Sequence, residues 1–111
     1  MTDKRIVLTT ASSADEARMI ALHLVEQKLA ACVNIVPGIE SIYRWQDRVE
    51  SSREWLLVIK TTLEKFPSVR LAISELHSYE LPECIAVTID DGSPAYLQWL
   101  ADSVLKDEST P

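Results

Sequence analysis

The sequence “CVNIVPGIESIYRWQDRVESSREWLLVIKTT”, residues 32–62, contains two long runs rich in β-branched and aromatic residues, separated by only “QDR” (46–48). Such residues favour strands, and the short connection predicts a hairpin with arms of about 14 residues, well above the usual strand length of about 5–6. Asp47 tolerates the left-handed backbone of a tight turn. Pro37 lacks a ladder donor and Gly38 accepts bulge dihedrals. We therefore interpret the first arm as one bent strand, not as two strands.

A strand and a helix are predicted before this hairpin. The segment “RIVLTT” (5–10) is short and β-branched, which is typical of a strand. Ser13 is followed three residues later by Glu16, which is the spacing of a capping box at a helix start. Apolar residues then recur at helical spacing, so we expect this first helix to run to about Leu29.

A second helix, a fourth strand and a third helix are predicted after the hairpin. Thr61 and Glu64 repeat the capping-box spacing, and Pro67 is tolerated only in the first turn of a helix. The segment “CIAVTI” (84–89) reads as the fourth strand. Pro94 suits the first position of a helix, so the third helix is expected to start there.

The resulting order, β-α-β-β-α-β with an extra C-terminal helix, is that of the ferredoxin-like α+β fold. Right-handed crossovers place both main helices on one face of a four-stranded antiparallel sheet, so the opposite face is expected to be bare. The segment “WLLVI” (55–59) is apolar on both sides of its strand, so this face is expected to be apolar. We therefore expect self-association, with the long strands pairing between subunits.

Length and composition predict one folded domain over residues 1–111, with a frayed polar tail at 105–111. Apolar residues make up 47% and charged residues 25% of the chain, which argues against disorder. There are 17 acidic and 11 basic residues, for a net charge of -6, and this balance argues against a nucleic-acid partner. Since no apolar run approaches the roughly 20 residues of a membrane span and no signal peptide precedes the first strand, we expect a cytoplasmic location and no membrane partner.

The two cysteines, Cys32 and Cys84, lie outside any CxxC or CxxH spacing, which argues against a zinc finger. Each begins an apolar run, so both are expected to be buried, reduced thiols that pack as small hydrophobic side chains. The alternative for Cys32 is a soft metal donor.

Four segments closely resemble the CutA divalent-cation tolerance protein family, namely “KLAACVNIVPG” (28–38), “SIYRW” (41–45), “VIKTT” (58–62) and “HSYELPE” (77–83). The resemblance implies a ferredoxin-like subunit and a homotrimer similar to that of the PII signalling proteins. It also implies a part in the response to divalent metal ions, with copper, Cu(II), as the ion usually associated with the family. We expect no organic cofactor. Two positions depart from the family pattern, since Asp47 replaces a glycine of the turn and Ser78 replaces a proline.

The resemblance carries over only part of a copper site. Some members of the family have a cysteine on the first strand and a histidine pair at the end of the second helix. Here Thr9 stands at the first position, and Leu76 and His77 stand at the pair. Copper needs several converging donors, so the candidate ligands are His77 and the nearby Glu83. The alternative is structural: His77 would bond to the turn at a helix C-terminus, and Glu83 would contact a neighbouring subunit.

Two further groups of residues are candidates for functions between subunits. A cleft is expected to be lined by Lys60, Tyr79 and Glu83, and it would receive a small anion or another effector. The aromatic residues of the hairpin region are expected to pack at the trimer interface, namely Tyr43, Trp45 and Trp55.

Three functions from different classes are considered. The first is a homotrimeric divalent-cation tolerance protein that binds copper or another divalent metal ion. The second is a PII-like small-ligand-binding or signalling module without a dedicated metal site. The third is an enzyme, which we do not expect: phosphate-anhydride hydrolases of this fold need an arginine-bearing phosphate loop, typically with glycine, and this chain has only Gly38 and Gly92.

Overall fold

A computed structural model of the protein describes residues 1–105. Most of the tail expected to fray, residues 106–111, lies outside the described residues. Within residues 1–105 the chain forms four strands and three helices, in the order β1 (Lys4–Ala11), α1 (Ala14–Glu26), β2 (Cys32–Trp45), β3 (Arg48–Thr62), α2 (Phe66–Leu76), β4 (Ile85–Thr88) and α3 (Pro94–Ser103). In this part of the chain, no helix is both long and apolar enough to cross a membrane.

The four strands form one sheet in the order β2-β3-β1-β4, and each neighbouring pair is antiparallel. This arrangement confirms the predicted α+β fold with a ferredoxin-like order of elements. β1 and β3 lie inside the sheet. The crossover through α1 leads from β1 to the edge strand β2, and the crossover through α2 leads from β3 past β1 to the other edge strand, β4. The two edges of the sheet are β2 and the short β4.

The hairpin of β2 and β3 has the predicted turn and bend. Gln46 and Asp47 have φ angles of 50° and 64°, which are the two left-handed positions of a tight two-residue turn. The strand register shifts between Val36 and Ile39, and Gly38 has a φ of 69° at this bulge. β2 is therefore one continuous bent strand, as predicted.

The main core lies between the sheet and the helices α1 and α2. Val7, Leu57 and Ile59 point to this face of β1 and β3, and each is fully buried. The helices complete the cluster with a stripe of small and branched apolar side chains, namely Ala17, Ile20, Ala21, Leu24, Val69, Ala72 and Ile73. This burial is the main driving force that holds the helices on the sheet.

α3 covers part of the opposite face, so the expectation of a bare face is wrong there. Leu100 on α3 and Val104 after it are buried, but neither belongs to the core cluster of the described residues under α1 and α2. α3 contacts β1 and β3. Because α1 and α2 already occupy one face of these strands, α3 lies against the other. β4 stays exposed, with Ile85 and Val87 about half accessible to solvent.

Two helix boundaries differ from the prediction. α1 ends at Glu26, three residues before the expected end, because Lys28 adopts a left-handed φ of 56°. The amide of Lys28 then donates to the carbonyl of Val25, and the amide of Leu29 donates to the carbonyl of Leu24. These two hydrogen bonds form a Schellman motif at the helix end. At α2, Thr61 does not act as a cap. Its hydroxyl donates to the carbonyl of Leu29 at 2.6 Å instead.

Candidate functional site

His77 follows α2 directly, and its side chain is fully buried. The ring Nε2 lies 2.5 Å from the carbonyl oxygen of Thr10, and Nδ1 lies 3.0 Å from the backbone nitrogen of Tyr79. A carbonyl can only accept and an amide N–H can only donate, so Nε2 carries the proton and Nδ1 accepts. Both nitrogens are therefore used in hydrogen bonds that join the end of α2 to β1 and to the following loop.

Glu16 at the start of α1 supports the same loop. Its carboxylate accepts bonds from the amide of Ser12 at 3.1 Å and from the amide of Ser78 at 2.9 Å, and one oxygen lies 3.8 Å from His77 Nδ1. Burial acts to raise the pKa of Glu16, but the hydrogen bonds from Ser78 and Ser12 outweigh it and hold the pKa below its ordinary value. The capping box is thus a variant, since Glu16 accepts from Ser12 while its own amide donates to Ser13.

Tyr79 connects this loop to the hairpin. Its hydroxyl donates to a carboxylate oxygen of Glu54 at 2.7 Å, and its ring lies 4.6 Å from that of His77, centroid to centroid. Burial raises the pKa of Tyr79, and the bond to the Glu54 carboxylate raises it further. Glu54 itself is 6% exposed, which is unusual for an acidic side chain.

An open cleft of about 840 Å³ lies between the hairpin and the loop from Ser78 to Glu83. It is lined by three aromatic residues, three glutamates, three serine or threonine residues and three apolar residues. The aromatic residues are Tyr43, Trp45 and Tyr79, and the glutamates are Glu54, Glu80 and Glu83. The other residues are Thr10, Ser41 and Ser78, together with the apolar Ile42, Leu81 and Pro82. The cleft therefore brings together four of the residues predicted from the sequence, namely Tyr43, Trp45, Tyr79 and Glu83.

Lys60 and Trp55 lie elsewhere. The Lys60 ammonium group donates to the side-chain oxygen of Asn34 on the neighbouring strand, and Lys60 is not among the residues that line the cleft. Trp55 is paired with Ala11 across β3 and β1, and it packs against the core on the helix side of the sheet. Within this subunit, Lys60 therefore lies apart from the two other residues expected to line a cleft with it, Tyr79 and Glu83.

Glu54 is the most deeply buried carboxylate of the cleft, and it is among the lining residues that the sequence analysis missed. Side chains alternate between the faces of a strand, so the even position 54 had to face away from Leu57 and Ile59, towards the side of the cleft. A glutamate directly before a tryptophan inside a long strand was the available signal. Its hydrogen-bond partner, Tyr79, lies 25 residues further along the chain, and no local pattern predicts that contact.

The donor atoms of the cleft are oxygens. Within residues 1–105, no group of three or more histidine, cysteine, aspartate or glutamate side chains converges in the manner of a preformed metal site. Cys32 and Cys84 are half-buried free thiols rather than fully buried ones, and burial raises the pKa of Cys84. The arrangement can attract cations through its carboxylates, and it can also hold apolar groups against its rings.

Comparison with known proteins identifies relatives over nearly the whole chain. A family model described as CutA1 divalent ion tolerance protein matches residues 5–103. The divalent-cation tolerance protein CutA of Thermus thermophilus is 48% identical over 100 residues, which cover 90% of this chain and 97% of that protein. The chloroplastic protein CutA of Arabidopsis thaliana is 43% identical over 98 residues, which cover 88% of this chain and 54% of that longer protein.

Solved structures agree with these sequence matches. CutA from Xylella fastidiosa has a TM-score of 0.91 at 37% identity, with 93% of this chain and 99% of that chain covered. The periplasmic divalent cation tolerance protein CutA from Archaeoglobus fulgidus has a TM-score of 0.89 at 39% identity, with 92% and 99% covered. The resemblance carried by the four sequence segments is confirmed. The chain belongs to the CutA1 divalent ion tolerance protein family.

Proposed function

We propose that this protein is a homotrimer that binds divalent metal ions, copper or another, and contributes to the cellular response to them. The observation that carries the proposal is the cleft with the carboxylates of Glu54, Glu80 and Glu83 on its walls, in a chain of net charge -6. Carboxylates attract divalent cations, and the relative from Thermus thermophilus is named a divalent-cation tolerance protein. The proposed role is binding and not catalysis.

Of the two proposed metal ligands, the geometry favours Glu83 over His77. Glu83 is exposed at the cleft, whereas the one lone pair of the neutral His77 ring already accepts the amide of Tyr79. A metal ion could use His77 only after this bond is broken. Oxygen donors suit magnesium, calcium or manganese, and copper binds more tightly to sites that offer nitrogen or sulfur.

Calorimetric titration with Cu(II) and with Mn(II) tests this proposal. We expect Glu83→Gln to weaken metal binding, because it removes the charge of the exposed carboxylate. His77→Gln should leave metal affinity unchanged while lowering the melting temperature. Glu64→Gln, which removes an exposed carboxylate from the connection between β3 and α2, is the matched control. Equal affinities for the wild type and Glu83→Gln would exclude the cleft as the metal site.

Support for the homotrimer comes from apolar surface that one subunit leaves uncovered. Ile42 and Val49 near the hairpin tip are each 68% exposed, and Tyr43 and Trp45 are more than 40% exposed. The cleft would then lie beside the subunit boundary. The rings of Tyr43 and Trp45 would line the cleft and also pack at the subunit interface. Trp55 would contribute only indirectly, by supporting β3 from the helix side. Sedimentation equilibrium at micromolar concentration should give three times the mass of one chain.

The proposed compartment is the cytoplasm. The two cysteines are free in the structure, which suits a reducing compartment. Relatives named chloroplastic and periplasmic occur in the family, so subcellular fractionation is the relevant measurement.

A second candidate function is a PII-like module that binds a small ligand without a dedicated metal site. The size of the cleft, about 840 Å³, favours it, since pockets of roughly 300–1,000 Å³ hold small organic molecules. Thermal denaturation against a panel of metabolites in the presence of a chelator tests it. A large stabilisation by one compound would support this function, because a ligand that binds the folded state raises the melting temperature.

A further inference from the structure

The cleft between the hairpin and the loop from Ser78 to Glu83 has a specific chemical character. Among the described residues that line it, none is lysine, arginine or histidine, while three are glutamate. Arg48 is the cross-strand neighbour of Trp45, but it is not part of the lining. The lining therefore disfavours the small anion considered from the sequence and favours a positively charged ligand.

The aromatic rings are placed where a cation can reach them. Ser41, Tyr43 and Trp45 point to the same face of β2 because they are two residues apart. In the single subunit, Tyr43 and Trp45 are 43% and 42% exposed, and both rings line the cleft. Ammonium groups bind over the faces of tryptophan and tyrosine through the ring quadrupole, and Tyr79 provides a third ring in the same cleft.

Glu54 supplies an independent indication. Its side chain is almost completely buried at the cleft wall, and one of its oxygens accepts the Tyr79 hydroxyl. None of the ion pairs found within residues 1–105 involves Glu54. A carboxylate withdrawn from water is costly unless a cation or several hydrogen bonds compensate for it, and a neutral hydroxyl compensates only in part. A cation in the cleft would complete the environment of Glu54.

We propose that this cleft binds an alkylammonium cation, an aliphatic chain that carries one or more ammonium groups. An inorganic ion would use the carboxylates alone and would leave the rings and the apolar residues of the cleft without a contact. An alkylammonium ion can place its charge against Glu54 and the rings, and its methylene groups against Leu81 and Pro82, which also line the cleft. The proposal rests on the second candidate function and names its ligand class.

Calorimetry on the assembled, full-length protein tests the proposal, with spermidine as the probe and EDTA present. The uncharged 1,8-octanediol and the inorganic ion Mg²⁺, the latter titrated without EDTA, serve as comparison ligands. We expect spermidine to bind, the diol not to bind, and the affinity for spermidine to fall as salt is added. Glu54→Gln, which keeps an acceptor for the Tyr79 hydroxyl, should weaken spermidine about tenfold or more, and Trp45→Leu about fivefold.

The control variant is Glu64→Gln, which should retain wild-type affinity for spermidine because Glu64 lies outside the cleft. Circular dichroism melts show whether each variant is folded. The proposal is overturned if spermidine does not bind, if only Mg²⁺ binds, or if Glu54→Gln and Glu64→Gln bind spermidine equally well. Failure with spermidine and success with another metabolite would reject the ligand class and leave the small-ligand function standing.

Discussion

Thr9 and Thr61 are fully buried threonines on neighbouring strands, and they differ in one respect. The hydroxyl of Thr61 donates to the carbonyl of Leu29, whereas the hydroxyl of Thr9 has no hydrogen-bond partner within residues 1–105. Thr9 stands where some relatives carry a metal-ligating cysteine, according to the resemblance. A buried hydroxyl without a partner loses its hydrogen bonds to water and gains nothing in return.

Replacing Thr9 by valine should therefore stabilise the protein. We expect Thr9→Val to raise the free energy of unfolding by about 1 kcal/mol, because it removes an unsatisfied polar group at nearly constant shape. Thr61→Val, the matched control, should lower it by about 1 kcal/mol, because it leaves the Leu29 carbonyl without its donor. Urea denaturation measures both changes. A loss of stability in both variants would mean that the Thr9 hydroxyl has a partner in solution.

Glu16 should make the stability of the protein sensitive to acid. Its pKa in the folded state is lowered below the ordinary value of 4.5, so the unfolded chain binds a proton more readily than the folded chain. The contribution of Glu16 is therefore fully present above about pH 4.5 and is lost as the pH falls through the lower folded-state pKa. Urea denaturation between pH 7 and pH 3 should show a smaller acid loss for Glu16→Gln than for the wild type. Glu26→Gln, at an exposed position of the same helix, should behave like the wild type.

At the scale of the elements, the hairpin depends on backbone conformations that most residues avoid. Gln46, Asp47 and Gly38 all have positive φ angles, but only the last is a glycine. The cost for a residue with a Cβ is about 1–2 kcal/mol, which the turn and the long ladder outweigh. Lys28 accepts the same conformation at the end of α1.

Asp47→Gly should stabilise the hairpin by about 1 kcal/mol, because glycine adopts the left-handed turn position without steric cost. Gly38→Ala should have the opposite effect, of about 1 kcal/mol. An added Cβ there would meet its nearest neighbour, an Arg53 nitrogen, at 3.8 Å, so the loss comes from the backbone and not from crowding. Thermal and urea denaturation measure both variants. An unchanged or lower stability of Asp47→Gly would show that the aspartate side chain itself supports the turn.

For the whole molecule, the projecting hairpin makes one subunit less compact than its length predicts. The radius of gyration is 14.9 Å and the longest dimension is 49 Å, whereas a compact domain of this length has a radius of gyration of about 13 Å. The hairpin tip carries apolar side chains that the subunit does not cover. This shape suits a subunit that completes its packing against copies of itself.

The proposed trimer predicts that charge at the hairpin weakens assembly. We expect Ile42→Asp to shift the sedimentation-equilibrium mass towards that of one chain, because an aspartate cannot be buried there without a partner. Leu71→Asp on α2, at a position that is also exposed, should retain the mass of the assembly. If Ile42→Asp sediments like the wild type, the hairpin tip does not form the interface.

The sequence by itself determined the order of the elements, the bulge at Gly38, the turn at Asp47 and the family. These features depend on interactions between residues close in the chain, such as the missing amide of Pro37 and the backbone freedom of Gly38. Only the tertiary structure decided that the Lys60 ammonium group bonds to Asn34 on the neighbouring strand. It also decided that both ring nitrogens of His77 form hydrogen bonds, one of them to the carbonyl of Thr10, 67 residues away. It likewise decided that the Tyr79 hydroxyl donates to the carboxylate of Glu54. The physical reason is that burial and hydrogen-bond partners come from the packing of distant segments, and a local pattern of residues does not contain that information.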